Sequence, residues 1–419
     1  MQHDADVIIS GAGPSGSVAA YHLASKGVSV LILEKSPFPR YKVCGGGLTH
    51  KILQEIPFDL SPVIETTINS ITFSQNFSEV FTRRSGLPLM YCTMRPKLDA
   101  YLLEMAIKKG ARMLPGQQVT EVRQEQTSVE IRTQEKTFRS ALLIGADGAS
   151  GTVARLSGLR ENILPGLAWE AEITAGKEAI EKFSETVFLD WGTFPGGYAW
   201  MFPKNDHFSI GVGGPASLSK WMMPYYHQFL RYLVNETGEW MMSGSNELLL
   251  PCGKLPATIS LKSWPIPVRV KKSRFHNGRI LVTGDAGGLS DPLTGEGIYY
   301  AVRSGILAAE SSADFLTRNS DSLKHYSDQL NDELMTELIE ANHIKDIFNT
   351  VPLRIHHFIR DGERGWRAFG KVLRGERWYK DVRLGFGKWK FLWGAACRLA
   401  KLFSERKEYK FRQNGFNKR

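Results

Sequence analysis

The chain has 419 residues, enough for two or three domains with real cores, and its 42% hydrophobic and 23% charged content fits an ordered globular protein, not a disordered one. The net charge of +10 is polarised: residues 351–419 carry 19 Lys and Arg against 6 Asp and Glu, while the first 350 carry 34 against 37, so the C-terminal region is expected to meet an anionic surface, nucleic acid or lipid headgroups. Cys44, Cys92, Cys252 and Cys397 are too scattered for a disulfide framework or a structural zinc site, no uncharged apolar run approaches the ~18 residues of a spanning helix, and MQHDADVIIS shows no signal-peptide n-region, which points to the reducing cytosol.

DVIISGAGPSGSVAAYHLASKGVSVLILEK reads as strand, glycine turn, helix, strand. Asp6–Ser10 and Val28–Leu33 are short β-branched runs, and Ser15–Lys26 has helical spacing. Gly11, Gly13 and Gly16 fill G-x-G-x-x-G, and Glu34 ends the second strand. In that arrangement the first glycine makes a tight turn and the second lets a pyrophosphate approach the helix N-terminus. The third permits close helix–strand packing, and the acid takes a ribose hydroxyl. A dinucleotide site is expected. KVCGGGLT (Lys42–Thr49) then sets a thiol directly against three glycines. For Cys44 a nucleophile, a metal ligand, a redox centre and a wall are all open at this point.

Residues 51–94 and 156–269 hold short alternating runs, Ser70–Ser74, Val187–Trp191, Tyr198–Phe202 and Phe208–Gly213, the pattern of a sheet-rich domain. Between them MRPKLDAYL (Met94–Leu102) reads as a helix start and ALLIGADGASGTVAR (Ala141–Arg155) as a buried strand ending in Gly-Ala-Asp-Gly. Gly278–Glu310 holds a similar strand ending in Gly-Asp-Ala, followed by a loop with Pro292, Gly295 and Gly297 that feeds a helix. Asp285 has a place there to bond a sugar-like polyol, and the helix N-terminus to meet a phosphate or an electron-rich ring edge. A nicotinamide cofactor has no need of this extra segment; a long molecule lying across the domain does. Residues 331–419 read as helical and basic. Within them Trp389, Leu392, Trp393, Ala396, Ala400 and Phe403 form one helical stripe, with Lys390, Arg398 and Lys401 on the other side and Arg406, Lys407 and Lys410 beyond. That is the pattern of a helix in the lipid interface, or of one packed on the domain below it.

Taken in order and spacing, these segments resemble the FAD-binding family built like the aromatic hydroxylases, over residues 1 to about 330, with Arg95 matching its Arg-x-x-x-Asp helix start. The resemblance implies an α/β fold with a Rossmann-like FAD-binding domain of the glutathione-reductase/aromatic-hydroxylase type, built from residues 1–50, 95–155 and 270–330. An antiparallel-sheet substrate domain, 51–94 and 156–269, is inserted, and a helical C-terminal region, 331–419, follows. Implied FAD contacts come from Gly11, Ala12, Gly13, Pro14, Ser15 and Gly16, and from Glu34, Lys35 and Arg40. Cys44, Gly45, Gly46, Arg95, Val119, Asp147 and Gly148 add to these, as do Asp285, Gly295, Gly297 and Ile298.

GGYAWMFPKNDHFSIGVGG (Gly196–Gly214) narrows the family. Tyr198, Trp200 and Phe202 alternate on one strand face, a Pro-Lys corner follows, and a second strand returns with Gly211 and Gly213. Such a face alone also fits plain core. Tyr-x-Trp-x-Phe-Pro-Lys followed by Gly-x-Gly resembles the signature of geranylgeranyl reductases, flavoproteins that saturate isoprenoid chains. VCGGGL resembles their second mark, with Val43 where the family usually has Pro. The resemblance implies that Gly45–Gly47 leave room for the flavin and an apolar chain. It makes Cys44 a polarisable wall at the flavin face or a proton donor, and places Gly47, Tyr198, Trp200, Phe202, Gly211 and Gly213 at the substrate. Tyr198 or an ordered water is the expected acid.

The implied partners are an isoprenoid lipid or quinone with a geranylgeranyl or polyprenyl chain, and an anionic membrane at the inner face of the cell membrane. IGVGGPAS lacks the helix and acid of a second nucleotide fold, so the electron donor, NAD(P)H or a ferredoxin-like protein, stays open. No recognition module accompanies the charge, so nucleic acid is not expected. Two rivals share the scaffold. One is a monooxygenase or halogenase, the latter with Trp-x-Trp-x-Ile-Pro where this chain has Tyr198-Ala-Trp200-Met-Phe202-Pro203. The other is a non-catalytic prenyl carrier, which has no need of the complete FAD set.

Overall fold

The computed structural model describes residues 3–237, 260–319, 322–384 and 390–415; Cys252, Trp389 and the side chains of Lys390 and Leu392 lie outside the described residues. Ala5–Ser10 and Val30–Glu34 are buried at every position but Asp6, because both faces of their sheet are covered. They pair in parallel, Val7 opposite Val30. On its other edge Ala5–Ser10 pairs with Thr137–Gly145, which pairs in turn with Ile280–Val282. With Arg112–Pro115 and His276–Asn277 at the edges and a Val119–Gln124/Val129–Thr133 hairpin folded onto Thr137–Gly145, they complete an eight-stranded sheet. The helices Pro14–Ser25 and Ile298–Leu316 pack side by side on it. Gly305 permits that approach, since a Cβ there would collide with the Ser15 carbonyl.

A second sheet has seven strands, in spatial order Lys262–Arg269, Ile163–Thr174, His207–Pro215, Tyr198–Pro203, Thr186–Trp191, Ser70–Gln75 and Ser78–Arg84. It is antiparallel as expected, except that Thr186–Trp191 runs parallel to Ser70–Gln75. One face is covered by the helix Ser219–Thr237, whose Met222, Tyr225, Tyr226 and Phe229 are buried in the core. Three short strands, Gly47–Thr49, Met90–Thr93 and Ile64–Ile68, form a small third sheet.

The C-terminal region is helical: Thr336–Thr350, Pro352–Asp361, Glu363–Leu373, Tyr379–Leu384 and Lys390–Asn414. Here the structure corrects the lipid-facing stripe. Trp393, Cys397, Ala400 and Ser404 are buried, and they lie one turn apart on the face that packs on Thr336–Thr350. The Trp393 indole donates to Glu340 at 3.0 Å, and Asn349 donates to Ser404 at 3.1 Å. Ala396 and Phe403 belong instead to the exposed side, with Leu399 and Leu402. Periodicity locates a stripe but does not say which edge of it is covered. Among the described residues no helix is long and apolar enough to cross a membrane, and no group of side chains could hold a metal.

Candidate active site

The glycine turn divides its labour by direction. Gly11 has φ +101°, and a Cβ there would meet the Ala146 backbone at 2.8 Å. A Cβ on Gly16 would collide with the Gly11 carbonyl. Gly13 differs: the nearest atom to its Cβ position is Arg40 Nη2, 3.7 Å away, so its open side faces a cavity of about 1070 Å³. The helix behind it starts with Pro14 and has no side-chain cap, leaving its first N–H groups for a ligand. Glu34 is buried beside it. Its Oε2 accepts the Ala12 N–H at 2.8 Å and its Oε1 the Ser36 N–H at 3.0 Å. Ala12 and Gly16, both expected at the cofactor, therefore stand behind the cavity wall and shape the turn.

The remaining expected cofactor residues border the same cavity. Val119 and Gly148 form part of its wall near Lys35. Asp147 spends Oδ2 on the Thr152 and Val153 N–H groups at 2.7 and 3.0 Å, while its buried Oδ1 has no hydrogen-bond partner. Asp285 is paired with Lys42 at 3.1 Å. Gly297 caps the helix Ile298–Leu316 with no side-chain bond, so a second uncapped helix N-terminus opens into the cavity. Two free helix N-termini, an orphaned carboxylate oxygen and the open side of Gly13 in one long cavity fit FAD. Arg95 grips Asp99 through two bonds of 2.8 Å, and Arg40 reaches the same carboxylate at 3.2 Å. This cluster, with Arg95 and Asp99 buried and Arg40 partly so, braces the loop that carries Cys44, whose sulfur Arg95 also approaches.

The CGGGL loop corrects a second expectation. The Cβ positions of its glycines point at protein. At Gly45 a Cβ would lie 2.5 Å from the Phe202 ring, and at Gly47 2.6 Å from Met90. Gly46 has φ +66°, and a Cβ there would collide with the Thr93 carbonyl. These glycines let the loop lie flat on the aromatic strand, and the same three residues line the cavity. The fully buried Lys204 locks this arrangement, donating to the carbonyls of Gly45 at 2.7 Å and Thr93 at 3.1 Å. Gly211, expected at the substrate, is covered in the same way: its Cβ would sit 2.5 Å from Cε2 of Trp200, the residue opposite it in register. Gly213 does reach the cavity, as do Gly47, Tyr198, Trp200 and Phe202.

Tyr198 donates its hydroxyl proton to the Thr294 carbonyl, and burial pushes its pKa up. It holds the loop ahead of Gly295 and Gly297 and is poorly suited to release a proton. A carboxyl that sequence reasoning passed over is bonded directly to the Cys44 backbone. Glu170 is buried, and it accepts the Cys44 N–H at 3.1 Å through Oε1 and the Trp200 indole N–H at 3.3 Å through Oε2. Burial pushes its pKa up to about 7, against the pull of Lys204 and of these two donors. In WEAEIT the alternation assigns Glu170 to the face away from Trp169 and Ala171, which sequence alone reads as solvent. That face is the cavity. Asp291, buried and bonded to the Tyr379 hydroxyl at 3.0 Å, was likewise missed.

From Trp200 the cavity continues into an apolar branch walled by Leu189, Phe348, Ile359, Phe369 and Leu373. Four of these come from the C-terminal helices, so that region is part of the site. Nothing local in these helices distinguishes a cavity wall from ordinary core.

The chain matches the FAD-binding domain family over residues 4–167. It is 36% identical over 73% of its length to an uncharacterized protein of Methanosarcina barkeri, covering 73% of that protein. It is 30% identical over 77% of its length to digeranylgeranylglycerophospholipid reductase 1 of Methanococcoides burtonii, covering 78% of it. Its fold matches the crystal structure of a geranylgeranyl bacteriochlorophyll reductase-like protein of Thermoplasma acidophilum with a TM-score of 0.68 at 22% identity, over 82% of this chain and 87% of that one. The fold and site thus define an FAD-dependent oxidoreductase of the aromatic-hydroxylase type. Within that class the chain belongs to the geranylgeranyl reductase family.

Proposed function

We propose that the protein saturates carbon–carbon double bonds in the isoprenoid chain of a lipid or quinone. The observation that carries this is one cavity whose wall includes the Cys44 loop and Trp200 together with the apolar Phe348, Ile359 and Phe369, room for a long methyl-branched hydrocarbon rather than a compact polar substrate. When bound, the reduced flavin supplies a hydride equivalent. The protein's own part is to hold an isolated alkene, which has no carbonyl to take up charge, in a dry slot at the right place. The Trp200 indole, flat over Gly211 and pinned by Glu170, forms one wall. Cys44, half-buried with its sulfur accepting the Gly46 N–H at 3.4 Å, forms another. The test is anaerobic: dithionite-reduced holoprotein is given an unsaturated geranylgeranyl phospholipid, a menaquinone or geranylgeranyl diphosphate, and the products are weighed. Two added hydrogens per double bond are expected from at least one of them. Substrate-dependent oxygen uptake without saturation would instead mark an oxygenase, and protein that carries no bleachable flavin a carrier.

The same reading includes docking on an anionic membrane. The last helix exposes Leu399, Leu402 and Phe403, and Arg406 and Lys410 continue that face by helical spacing. Residues 400 and 404 touch Thr350 and Asn349, just ahead of Leu353 and Phe358, which are exposed where Ile355 and Ile359 border the apolar branch. A polyprenyl chain could then pass from bilayer to site without crossing water. Because the packed face of this helix walls the fold, truncation is a poor test. Leu399→Glu with Phe403→Glu should instead abolish salt-sensitive binding to anionic liposomes while flavin content stays intact; unchanged binding refutes the docking face.

A further inference from the structure

Glu170 is the carboxyl shared by the two motifs. It is 1% exposed, yet it borders the cavity between Cys44 and Trp200. Each oxygen accepts one N–H and keeps a second lone-pair position, so a proton on either oxygen has a free direction. We propose that Glu170 is the acid of the reduction, giving the second alkene carbon its proton; this rests on the isoprenoid-reductase reading above. In the step the π bond breaks, and one carbon takes the hydride of the reduced cofactor. The other forms a C–H bond to the proton leaving Glu170, and the O–H electron pair stays on the carboxylate. Solvent returns the proton. Tyr41 lines the cavity and is hydrogen-bonded to Glu172, which is exposed two residues along the same strand face.

The groups around Glu170 define its titration. Lys204 faces it from the Pro203 corner, Cys44 and Tyr41 from the loop after Glu34, and Tyr198 from the aromatic strand. Tyr226 lies on the helix Ser219–Thr237, and Lys262 is the register partner of Glu170 on the neighbouring strand, over the Tyr41 ring. Tyr198 is a poor rival for the role, since the Thr294 carbonyl already takes its proton, and two of the three Lys204 N–H groups are committed to the Gly45 and Thr93 carbonyls. With burial holding its pKa at about 7, Glu170 is poised at neutral pH, where a general acid is most effective.

The experiment pairs infrared difference spectroscopy of the oxidised holoprotein across pH with single-turnover reoxidation of the dithionite-reduced protein by a geranylgeranyl phospholipid. The parent should show a protonated-carboxyl band that vanishes near pH 7, and reoxidation that falls over the same range. Glu170→Gln keeps the size and an acceptor for the indole but has no proton to release. It should lose Glu170's share of the band, leaving that of Glu337, whose pKa burial also raises to about 7, and slow reoxidation by about 100- to 10,000-fold, with a flat pH profile and the flavin spectrum intact. Trp200→Phe removes a donor that favours the carboxylate, so band and kinetic limb should both move to higher pH. That variant decides the matter if Glu170→Gln does not hold flavin, and an unmoved limb overturns the proposal. So does a band of undiminished amplitude in Glu170→Gln, or parental turnover in that variant. A parent that saturates no isoprenoid at all overturns the function itself, and the acid role falls with it.

Discussion

Replacing Gly211 with Ala should show whether the Trp200 indole is seated by its glycine floor. The added Cβ would lie 2.5 Å from Cε2 of the ring and 2.7 Å from the Trp169 carbonyl oxygen. Carbon atoms pack at roughly 3.5–4.0 Å, so the ring must retreat by about 1 Å. It has nowhere convenient to go. It is buried, bonded through Nε1 to Glu170 at 3.3 Å, and flanked by Tyr198 and Phe202 with centroids 5.4 and 6.4 Å away. Overpacking of this kind costs about 1–3 kcal/mol, and loss of the indole–carboxyl bond adds about 1 kcal/mol. A total near 3 kcal/mol is expected. Trp200→Ala alone should cost about 3–5 kcal/mol. With the ring gone the added methyl meets only the Trp169 carbonyl, and Gly211→Ala should then cost about 1 kcal/mol, a coupling of about 2 kcal/mol. Urea unfolding of the four holoproteins, followed by circular dichroism, measures the cycle. Additivity within about 0.5 kcal/mol would refute the floor.

Gly13→Val should fold as the parent does and lose FAD, because its Cβ side opens only onto the cavity, whereas Gly16→Val should fail to fold; flavin absorbance and melting curves separate the two, and a Gly13→Val protein with full flavin refutes the phosphate placement. Glu170 binds its proton more tightly folded than unfolded, so its contribution to stability is full below pH 4.5 and is lost as pH rises through about 7. The loss should be ~3 kcal/mol, and Glu170→Gln should lack it in denaturation curves at matched pH. Asp99→Asn leaves Arg95 and Arg40 without their shared carboxylate and should cost about 3–5 kcal/mol, part of it recovered on adding Arg95→Met; an unchanged melting temperature refutes the cluster's role.

The nucleotide end was legible because its constraints are local. A glycine turn, a strand on each side and an acid at the end of the second strand report one geometry within 34 residues, and Gly11, Gly13 and Glu34 stand where that geometry needs them. The site beyond it was legible as a set of residues but not as a set of directions. Gly45–Gly47 announce a close approach without saying that the close partners are Phe202, Thr93 and Met90. Glu170 alternates with apolar neighbours, and alternation means solvent only when one sheet face is wet. The last helix shows the same limit from the other side, since Leu399 and Trp393 are equally apolar and only tertiary packing assigns one to the surface and the other to the core.

The first sheet has an implication for how the chain is made. The apolar edge of Thr137–Gly145 pairs with Ile280–Val282, so during synthesis it waits on the order of ten seconds for its neighbour to leave the ribosome. The helix start at Ile298, which completes the flavin cradle, arrives later still. Flavin capture is thus one of the last events of assembly. A nascent chain of this design carries a sticky half-built sheet through about a third of its translation, and the demand on chaperones is set by strand order rather than by the stability of the finished enzyme.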